Sequence, residues 1–140
     1  MITRRKQVSG QAEAEYAADV ALAGQFDDLL AAARDAEQAF RNAQARAWPI
    51  RELHPLAKRL DTALTDVMRA AYAAQRVEIG PRGYEDRIYR RKAMAKSAVH
   101  AWTDEAERLL TLRETHRLTG MPPVARTDLP SSEAVPYVSG

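Results

Sequence analysis

The sequence predicts an all-α protein, an up-down-up bundle of three long helices followed by an extended, proline-containing C-terminal tail. Apolar residues recur three and four positions apart over three long stretches, as the buried face of a helix requires. Prolines and glycines fall at the ends of these stretches, and no stretch requires a β-strand. We therefore expect a basic arm at 1–8, helices at about 9–47, 50–79 and 84–119, and a tail at 120–140.

The first predicted helix has a recognisable start, an interruption and an end. Ser9 is a suitable N-cap because its hydroxyl can accept a hydrogen bond from an unpaired backbone N–H. Gly24 costs about 1 kcal/mol relative to alanine, so it marks either a bend or a site where another backbone comes close. Trp48 ends the helix, because the residue before Pro49 is excluded from the α region. The expected buried face consists of Tyr16, Val20, Ala23, Phe26, Leu30, Ala33, Phe40 and Ala47.

The second predicted helix has the most regular apolar spacing in the chain. Pro55 in a helix interior would clash with the carbonyl of Arg51, so the helix either starts near Pro55 or is kinked there, and we expect a start between residues 50 and 55. It ends at Gly80, which can adopt a left-handed conformation, and Pro81 prevents continuation. The apolar residues alternate four and three apart as in a heptad repeat, and they are Leu53, Ala57, Leu60, Leu64, Val67, Ala71 and Ala74.

The third predicted helix combines the longest helical pattern with the densest basic cluster. Glu85 and Asp86 fall in its first turn, where carboxylates favour the helix dipole, and Gly120 followed by Pro122 stops it. Roughly 35 residues make a rod on the order of 50 Å long, which needs partners of similar length. Its expected buried seam comprises Ile88, Ala95, Val99, Trp102, Ala106 and Leu109, and Lys92 also falls on it.

Composition narrows the class of protein. The 140 residues are 46% hydrophobic but only 6% aromatic, which indicates one domain with a thin core and no ligand cavity. The absence of cysteine excludes disulfides and thiolate metal sites and is compatible with a reducing compartment, so we expect a cytoplasmic protein. No window reaches the ~18 apolar residues of a membrane span, and the basic N-terminus lacks the apolar region of a signal peptide. No membrane contact is expected.

Charge is distributed unevenly along the chain. The total is +2, but residues 9–48 hold seven acidic and three basic side chains, whereas residues 82–119 hold nine basic and six acidic ones. In an up-down-up bundle, the start of the first helix, the end of the second and the start of the third share one end. The residues gathered there, called the basic pole below, are Arg4, Arg5, Lys6, Arg76, Arg82, Arg87, Arg90, Arg91, Lys92 and Lys96.

The basic pole favours binding to phosphate groups. Cations beside helix N-termini oppose the helix dipole, so helix stability alone does not account for them. Arginine offers a bidentate fork to phosphate, and Tyr84 and Tyr89 are close enough to stack on bases. The alternative is a solvated charged face held by intrahelical pairs, such as Glu85 with Tyr89 or Asp86 with Arg90. Both interpretations stay open.

Catalysis has little support in the sequence. His100 and Asp104 are four positions apart on one helix face, but no third metal ligand matches them. His54 and His116 have acidic neighbours two positions away, which face apart on a helix. No HExxH, GxSxG, CxxC or glycine-rich phosphate motif is present, and Trp48 and Trp102 fit packing roles. We therefore expect no enzyme activity, no cofactor, no metal ion and no small-molecule substrate.

The segment DRIYRRKAMAK, with Arg87, Arg90, Arg91, Lys92 and Lys96, belongs to a small, basic, all-helical chain. In these respects the protein resembles the small helical subunits of class 1 CRISPR effector complexes. The resemblance covers the architecture of the three helices. It implies a non-catalytic subunit whose copies stack head to tail along a crRNA-bound backbone filament and contact RNA or displaced target DNA through phosphates. The expected partners are other subunits, copies of the chain itself and nucleic acid.

Two other functions fit the same pattern. A structural or adaptor protein of a phage particle or similar assembly would pack its long helices into rings. Its tail, with Val135, Tyr137 and Val138, would reach a neighbouring subunit or dock on a partner. A plasmid or chromosome accessory protein that binds duplex DNA ranks last, because the chain shows no helix-turn-helix spacing.

Overall fold

A computed structural model describes residues 7–120, and within this range the protein is all-α, as predicted. The described residues contain five α-helices and no β-strand. The helices are α1 (Gly10–Ala23), α2 (Phe26–Ala45), α3 (Ile50–Ile79), α4 (Arg87–Ala93) and α5 (Ser97–Thr115). A 3-10 turn, Pro81–Tyr84, connects α3 to α4, and a π-helical turn, His116–Gly120, follows α5. The predicted tail beyond Gly120 and residues 1–6 of the predicted arm lie outside the described residues.

The continuous helix predicted over 9–47 is divided into α1 and α2 at Gly24. Gly24 has right-handed dihedral angles, φ −65° and ψ −15°. A Cβ placed on it would meet only carbonyl oxygens of the preceding turn, at 3.4 and 3.5 Å. No other backbone segment of residues 7–120 comes close to Gly24, so the glycine marks an interruption of the helix rather than a close approach. Ser9 caps α1 as predicted, since its hydroxyl accepts a hydrogen bond from the N–H of Ala12 at 3.1 Å.

The prediction of one continuous helix over 84–119 was wrong. The helical hydrogen-bond pattern breaks after Ala93, and α5 begins only at Ser97. The first piece also starts later than expected. The carboxylate of Asp86 accepts a hydrogen bond from the N–H of Tyr89 at 2.9 Å, which makes Asp86 the N-cap of α4 rather than a residue of its first turn.

The break changes which residues face the interior. A continuous helix would bury Ile88 and Ala95, but Ile88 is 68% exposed and Ala95 is also exposed. Lys92, expected on the seam, is exposed as well. The interior contacts of α4 come instead from Ala93, with Tyr89 packed against the same cluster. Beyond the break the predicted seam is correct, with Val99, Ala106 and Leu109 buried and Trp102 half-buried.

Helix α3 is the central element, because α1, α2 and α5 all pack against it. It begins at Ile50 and accommodates Pro55 in its second turn. Gly80 ends it with φ 100°, a positive value as predicted for this glycine. The heptad prediction holds: Leu53 is half-buried, and the buried members are Ala57, Leu60, Leu64, Val67, Ala71 and Ala74.

Side-chain contacts show which helix ends lie together. Near the end of α3, Gln75 donates a hydrogen bond to the hydroxyl of Thr103 in α5 at 2.7 Å. Near the start of α3, Nε2 of the buried His116 lies 2.8 Å from the carbonyl oxygen of Ala57. A carbonyl oxygen only accepts, so this nitrogen carries the proton. The ring of Phe40, near the end of α2, packs edge-on against His116.

Within residues 7–120, no helix combines the length and the apolar character needed to cross a membrane.

Two glycines should respond in opposite ways to substitution by alanine. Gly24→Ala should raise the free energy of unfolding by up to about 1 kcal/mol, because the backbone already has helical angles and the unfolded chain loses freedom. Gly83→Ala should lower it by about 1–3 kcal/mol, because its Cβ would lie 2.4 Å from Cγ2 of the buried Ile79. Urea denaturation followed by circular dichroism measures both. A destabilising Gly24→Ala would show that the bend itself needs glycine.

Candidate nucleic-acid interface

The structure describes seven of the ten residues predicted for the basic pole. Arg4, Arg5 and Lys6 lie outside the described residues. The remaining seven occupy the end of α3, the 3-10 turn, α4 and the residues that follow it, and they are Arg76, Arg82, Arg87, Arg90, Arg91, Lys92 and Lys96. The start of α1 is joined to this region, because the backbone N–H and the hydroxyl of Ser9 donate to the carboxylate of Glu85 at 3.0 and 2.7 Å.

Arg76 is paired with an acidic residue of α1. Its Nε and Nη2 donate to the two carboxylate oxygens of Asp19 at 2.8 and 3.2 Å, and the hydroxyl of Tyr84 donates to the same carboxylate. The side chain of Asp19 is only 14% exposed. The arrangement connects α1, α3 and the 3-10 turn, and it commits both Arg76 and Tyr84 to internal contacts.

The pKa values of this cluster follow from its geometry. Burial raises the pKa of Asp19. The hydrogen bonds from Arg76 and Tyr84 and the charge of Arg76 together lower it by more, so the pKa lies below its ordinary value. Burial, together with the Asp19 carboxylate, raises the pKa of the Tyr84 phenol. The carboxylate is therefore ionised and the phenol protonated at neutral pH.

Arg82 also has partners within the fold. Its Nε lies 3.2 Å from the carboxylate of Asp86, and its guanidinium stands 4.8 Å from the centre of the Tyr89 ring. The ring face of Tyr89 is thus occupied by a cation. The intrahelical pair expected between Asp86 and Arg90 does not form. Nη1 of Arg90 donates instead to the carbonyl of Gly83 at 2.6 Å.

Four cations of the basic pole remain without such partners. Arg87, Arg91, Lys92 and Lys96, called the α4 cation set below, are exposed, and their side chains make no hydrogen bond or ion pair with another described residue. Residues 87–103 hold five basic side chains and not one acidic side chain. Positive charge on this segment is therefore not offset by its own sequence.

Unpaired cations also occur elsewhere, but at lower density. On α3, Arg51, Lys58, Arg59 and Arg69 are exposed and likewise unpaired within the described residues. Their segment contains three acidic residues, Glu52, Asp61 and Asp66. What distinguishes the α4 cation set is the concentration of like charge over ten residues rather than the absence of partners alone.

One premise of the sequence prediction was wrong. The cations were expected beside the N-terminus of a long helix, where they would oppose its dipole. Because α4 is a separate short helix, Arg90, Arg91 and Lys92 lie in its last turn, where cations favour the dipole. Arg87, the first residue of α4, and Lys96, the N-cap residue of α5, still stand beside helix N-termini.

The histidines and tryptophans have distinct environments. Nδ1 of His100 lies 3.2 Å from the carboxylate oxygen Oδ2 of Asp104, and both side chains are exposed. Within the described residues, no three His, Cys, Asp or Glu side chains form a group that could hold a metal ion. Trp102 packs edge-on against Phe26 with ring centres 5.0 Å apart, as predicted for a packing residue. Trp48 is 41% exposed at the connection between α2 and α3.

Sequence analysis missed the role of Asp19. The residue follows Tyr16 by three positions and precedes Val20, so it lies at the edge of the predicted apolar face of the first helix. An acidic side chain in that position signals a buried or half-buried partner of opposite charge. The partner itself, Arg76, is 57 residues away and is brought close only by the fold.

Comparison of the chain with protein-family models, with curated proteins and with solved structures finds no match in any of the three. The geometry around α4 is therefore the basis on which a function is proposed.

The Asp19 cluster predicts an acid-sensitive contribution to stability. The pKa of Asp19 is lowered by folding, so its contribution is fully present above the unfolded value of about 3.9 and is lost as the pH falls through the folded pKa. Asp19→Asn should lower the free energy of unfolding at neutral pH by about 2 kcal/mol. It should also flatten the loss of stability on acidification, as measured by thermal unfolding at several pH values.

Asp35→Asn is the matched control, because Asp35 is exposed on α2 and makes no ion pair within the described residues. Equal effects of the two substitutions would contradict the structural role assigned to Asp19.

Proposed function

We propose that this protein is a non-catalytic helical subunit of a multi-subunit nucleic-acid-binding ribonucleoprotein, of the crRNA-guided type that its resemblance to CRISPR small subunits implies. It contacts phosphate backbones through the α4 cation set. The observation that carries the proposal is the concentration of four exposed, unpaired cations within ten residues of an acid-free segment. Cations of this kind bind nucleic acid by neutralising phosphates and releasing counterions. Its proposed location is the cytoplasm.

The proposal includes an up-down-up arrangement of three helical segments, α1 with α2, α3 alone, and α4 with α5. Support comes from contacts near both ends of α3. Asp19 with Arg76 and Gln75 with Thr103 join the end of α3 to the first and third segments. The hydrogen bond between Ala57 and His116 joins its start to the end of the third. With 30 residues, α3 is about 45 Å long, so α4 stands at one end of an elongated body.

The expected mode of binding is independent of base sequence. Phosphate contacts fix position and register on a nucleic acid but carry no sequence information. Tyr84 is hydrogen-bonded to Asp19, and the face of Tyr89 is covered by Arg82. These two rings, initially expected to stack on bases, are occupied within the fold, so charge rather than stacking is the proposed source of affinity.

Two matched quadruple variants test this function. In the first, Arg87, Arg91, Lys92 and Lys96 are replaced by glutamine; in the control, the four exposed cations of α3 are replaced in the same way, which changes the net charge equally. The first variant should lose at least about tenfold in affinity for single-stranded RNA or DNA. The plot of log affinity against log salt should become less steep by about 3, because each lost phosphate contact reduces the magnitude of its slope by roughly 0.7. Fluorescence anisotropy at several salt concentrations measures both quantities.

The control should bind within twofold of the wild type if α4 is the interface. Equal losses in both variants would show that binding responds to overall charge, and undiminished binding by the first variant would refute the site. Circular dichroism of each variant checks that the helices are retained.

A second candidate function is that of a structural adaptor in a phage particle or similar homo-oligomeric assembly. It is favoured by Trp48 and Ile50, which are 41% and 57% exposed on either side of Pro49. Neighbouring exposed apolar side chains mark protein interfaces. Under this function, replacing both by serine should reduce the sedimentation coefficient of the assembly and leave nucleic-acid affinity unchanged. A wild-type protein that sediments as a monomer would exclude self-assembly.

A further inference from the structure

A small pocket lies next to α4 that the α4 cation set does not line. Its volume is about 110 Å³, and it sits between the end of α3, the 3-10 turn and α4. Its lining residues are Arg76, Ile79, Gly80, Gly83, Tyr84 and Arg90. Two of these six are arginines from different helices, and the lining contains no acidic residue. The guanidinium of Arg76 is already paired with Asp19, whereas that of Arg90 is bonded only to the neutral carbonyl of Gly83, so Arg90 is the main source of positive charge at the pocket.

Glycine at two positions shapes the wall of this pocket. Gly83 approaches Ile79 so closely that a Cβ on it would lie 2.4 Å from Cγ2 of the isoleucine. Gly80 has φ 100°, a conformation that side chains disfavour. The chain thus turns tightly from α3 into the 3-10 turn, and the carbonyl of Gly83 is positioned to accept the hydrogen bond from Arg90.

Both guanidinium groups are held in place yet keep unused donors. Arg76 uses Nε and Nη2 for Asp19, and Arg90 uses Nη1 for Gly83. A guanidinium has five N–H donors, so Nη1 of Arg76 and both Nε and Nη2 of Arg90 retain donors for an anion. Because the existing bonds already restrict these side chains, binding costs less conformational entropy than it would for a free surface lysine.

The pocket is large enough for a small anion. The pocket is partly open to solvent, and its volume of about 110 Å³ leaves room for several water-sized groups. A tetrahedral oxyanion with four oxygens fits this space. We propose that this pocket binds a single phosphate group through the charge of Arg90, with Nη1 of Arg76 as an additional hydrogen-bond donor. The assignment of that phosphate to a nucleic acid rests on the proposed function. The group is either a terminal phosphate or one phosphodiester of the backbone.

The test compares one single-stranded oligonucleotide in three forms: 5′-phosphorylated, 3′-phosphorylated and unphosphorylated. Binding to the full chain and to Arg90→Gln is measured by isothermal titration calorimetry. If the pocket binds a terminal phosphate, the wild type should prefer one phosphorylated form by about tenfold, and Arg90→Gln should abolish the preference. If it binds a backbone phosphate, all three forms should bind the wild type equally and all should weaken by about tenfold in the variant. If Arg90→Gln binds each of the three forms with an affinity within twofold of that of the wild type for the same form, the proposal is overturned.

A second measurement separates this inference from the proposed function. Inorganic phosphate should shift the backbone amide resonances of Gly80 and Gly83 in the wild type and in the α4 cation-set variant, but not in Arg90→Gln. If phosphate causes these shifts but the protein does not bind the oligonucleotide, the phosphate pocket is supported and the proposed function is contradicted. If oligonucleotide binding depends on the α4 cation set but phosphate shifts neither glycine, the phosphate pocket is contradicted and the proposed function is supported. Arg90→Lys, which keeps the charge but loses the planar fork, should retain only part of the phosphate response and serves if Arg90→Gln fails to fold.

Discussion

The alanine-rich surface of α3 is the constraint on which the rest of the structure depends. Ala70, Ala71 and Ala73 are completely buried and Ala74 nearly so, and α1, α2 and α5 all pack against this one helix. Small side chains allow helix axes to approach closely, but each contributes little apolar area. Close packing therefore has to be supplemented by specific polar contacts between helices. The hydrogen bond from His116 to Ala57 and the pairing of Arg76 with Asp19 supply them near opposite ends of α3.

These polar contacts divide the basic residues into two groups with different physical roles. Arg76 and Arg82 form ion pairs with carboxylates of the protein. A cation that is already hydrogen-bonded to a carboxylate gains less binding free energy from an external phosphate. The α4 cation set has no such partner within the described residues, so its charge is directed to solvent. Arg90 is intermediate, because its hydrogen bond to the neutral carbonyl of Gly83 fixes its position without neutralising it.

The sequence was sufficient to predict the helical class and most of α3, where a regular heptad pattern and terminal proline and glycine leave little choice. The sequence did not predict the helix breaks at Gly24 and near Met94, because the helical spacing of apolar residues continues through both positions although the helices stop there. At the second break the local hydrogen bonds tighten, with the N–H of Lys96 bonded to the carbonyl of Ala93 at 3.0 Å, and Lys96 has extended dihedral angles before α5 begins. Partner choice was equally hidden, since contacts such as Asp19 with Arg76 join residues far apart in sequence.

The α4 cation set and the arginine pocket should act at different ranges. Exposed cations attract a polyanion over a distance comparable to the Debye length, about 8 Å at physiological ionic strength, and their effect weakens as salt rises. Arginines held by hydrogen bonds around a pocket act at contact distance, where orientation and bidentate donation matter more than screening. A nucleic-acid strand first held by the α4 cation set would then place one of its phosphates within reach of Arg90, because Arg90 directly precedes Arg91 in the sequence. Long-range attraction by Arg87, Arg91 and Lys92 and short-range positioning by Arg90 would thus be supplied by the same short helix.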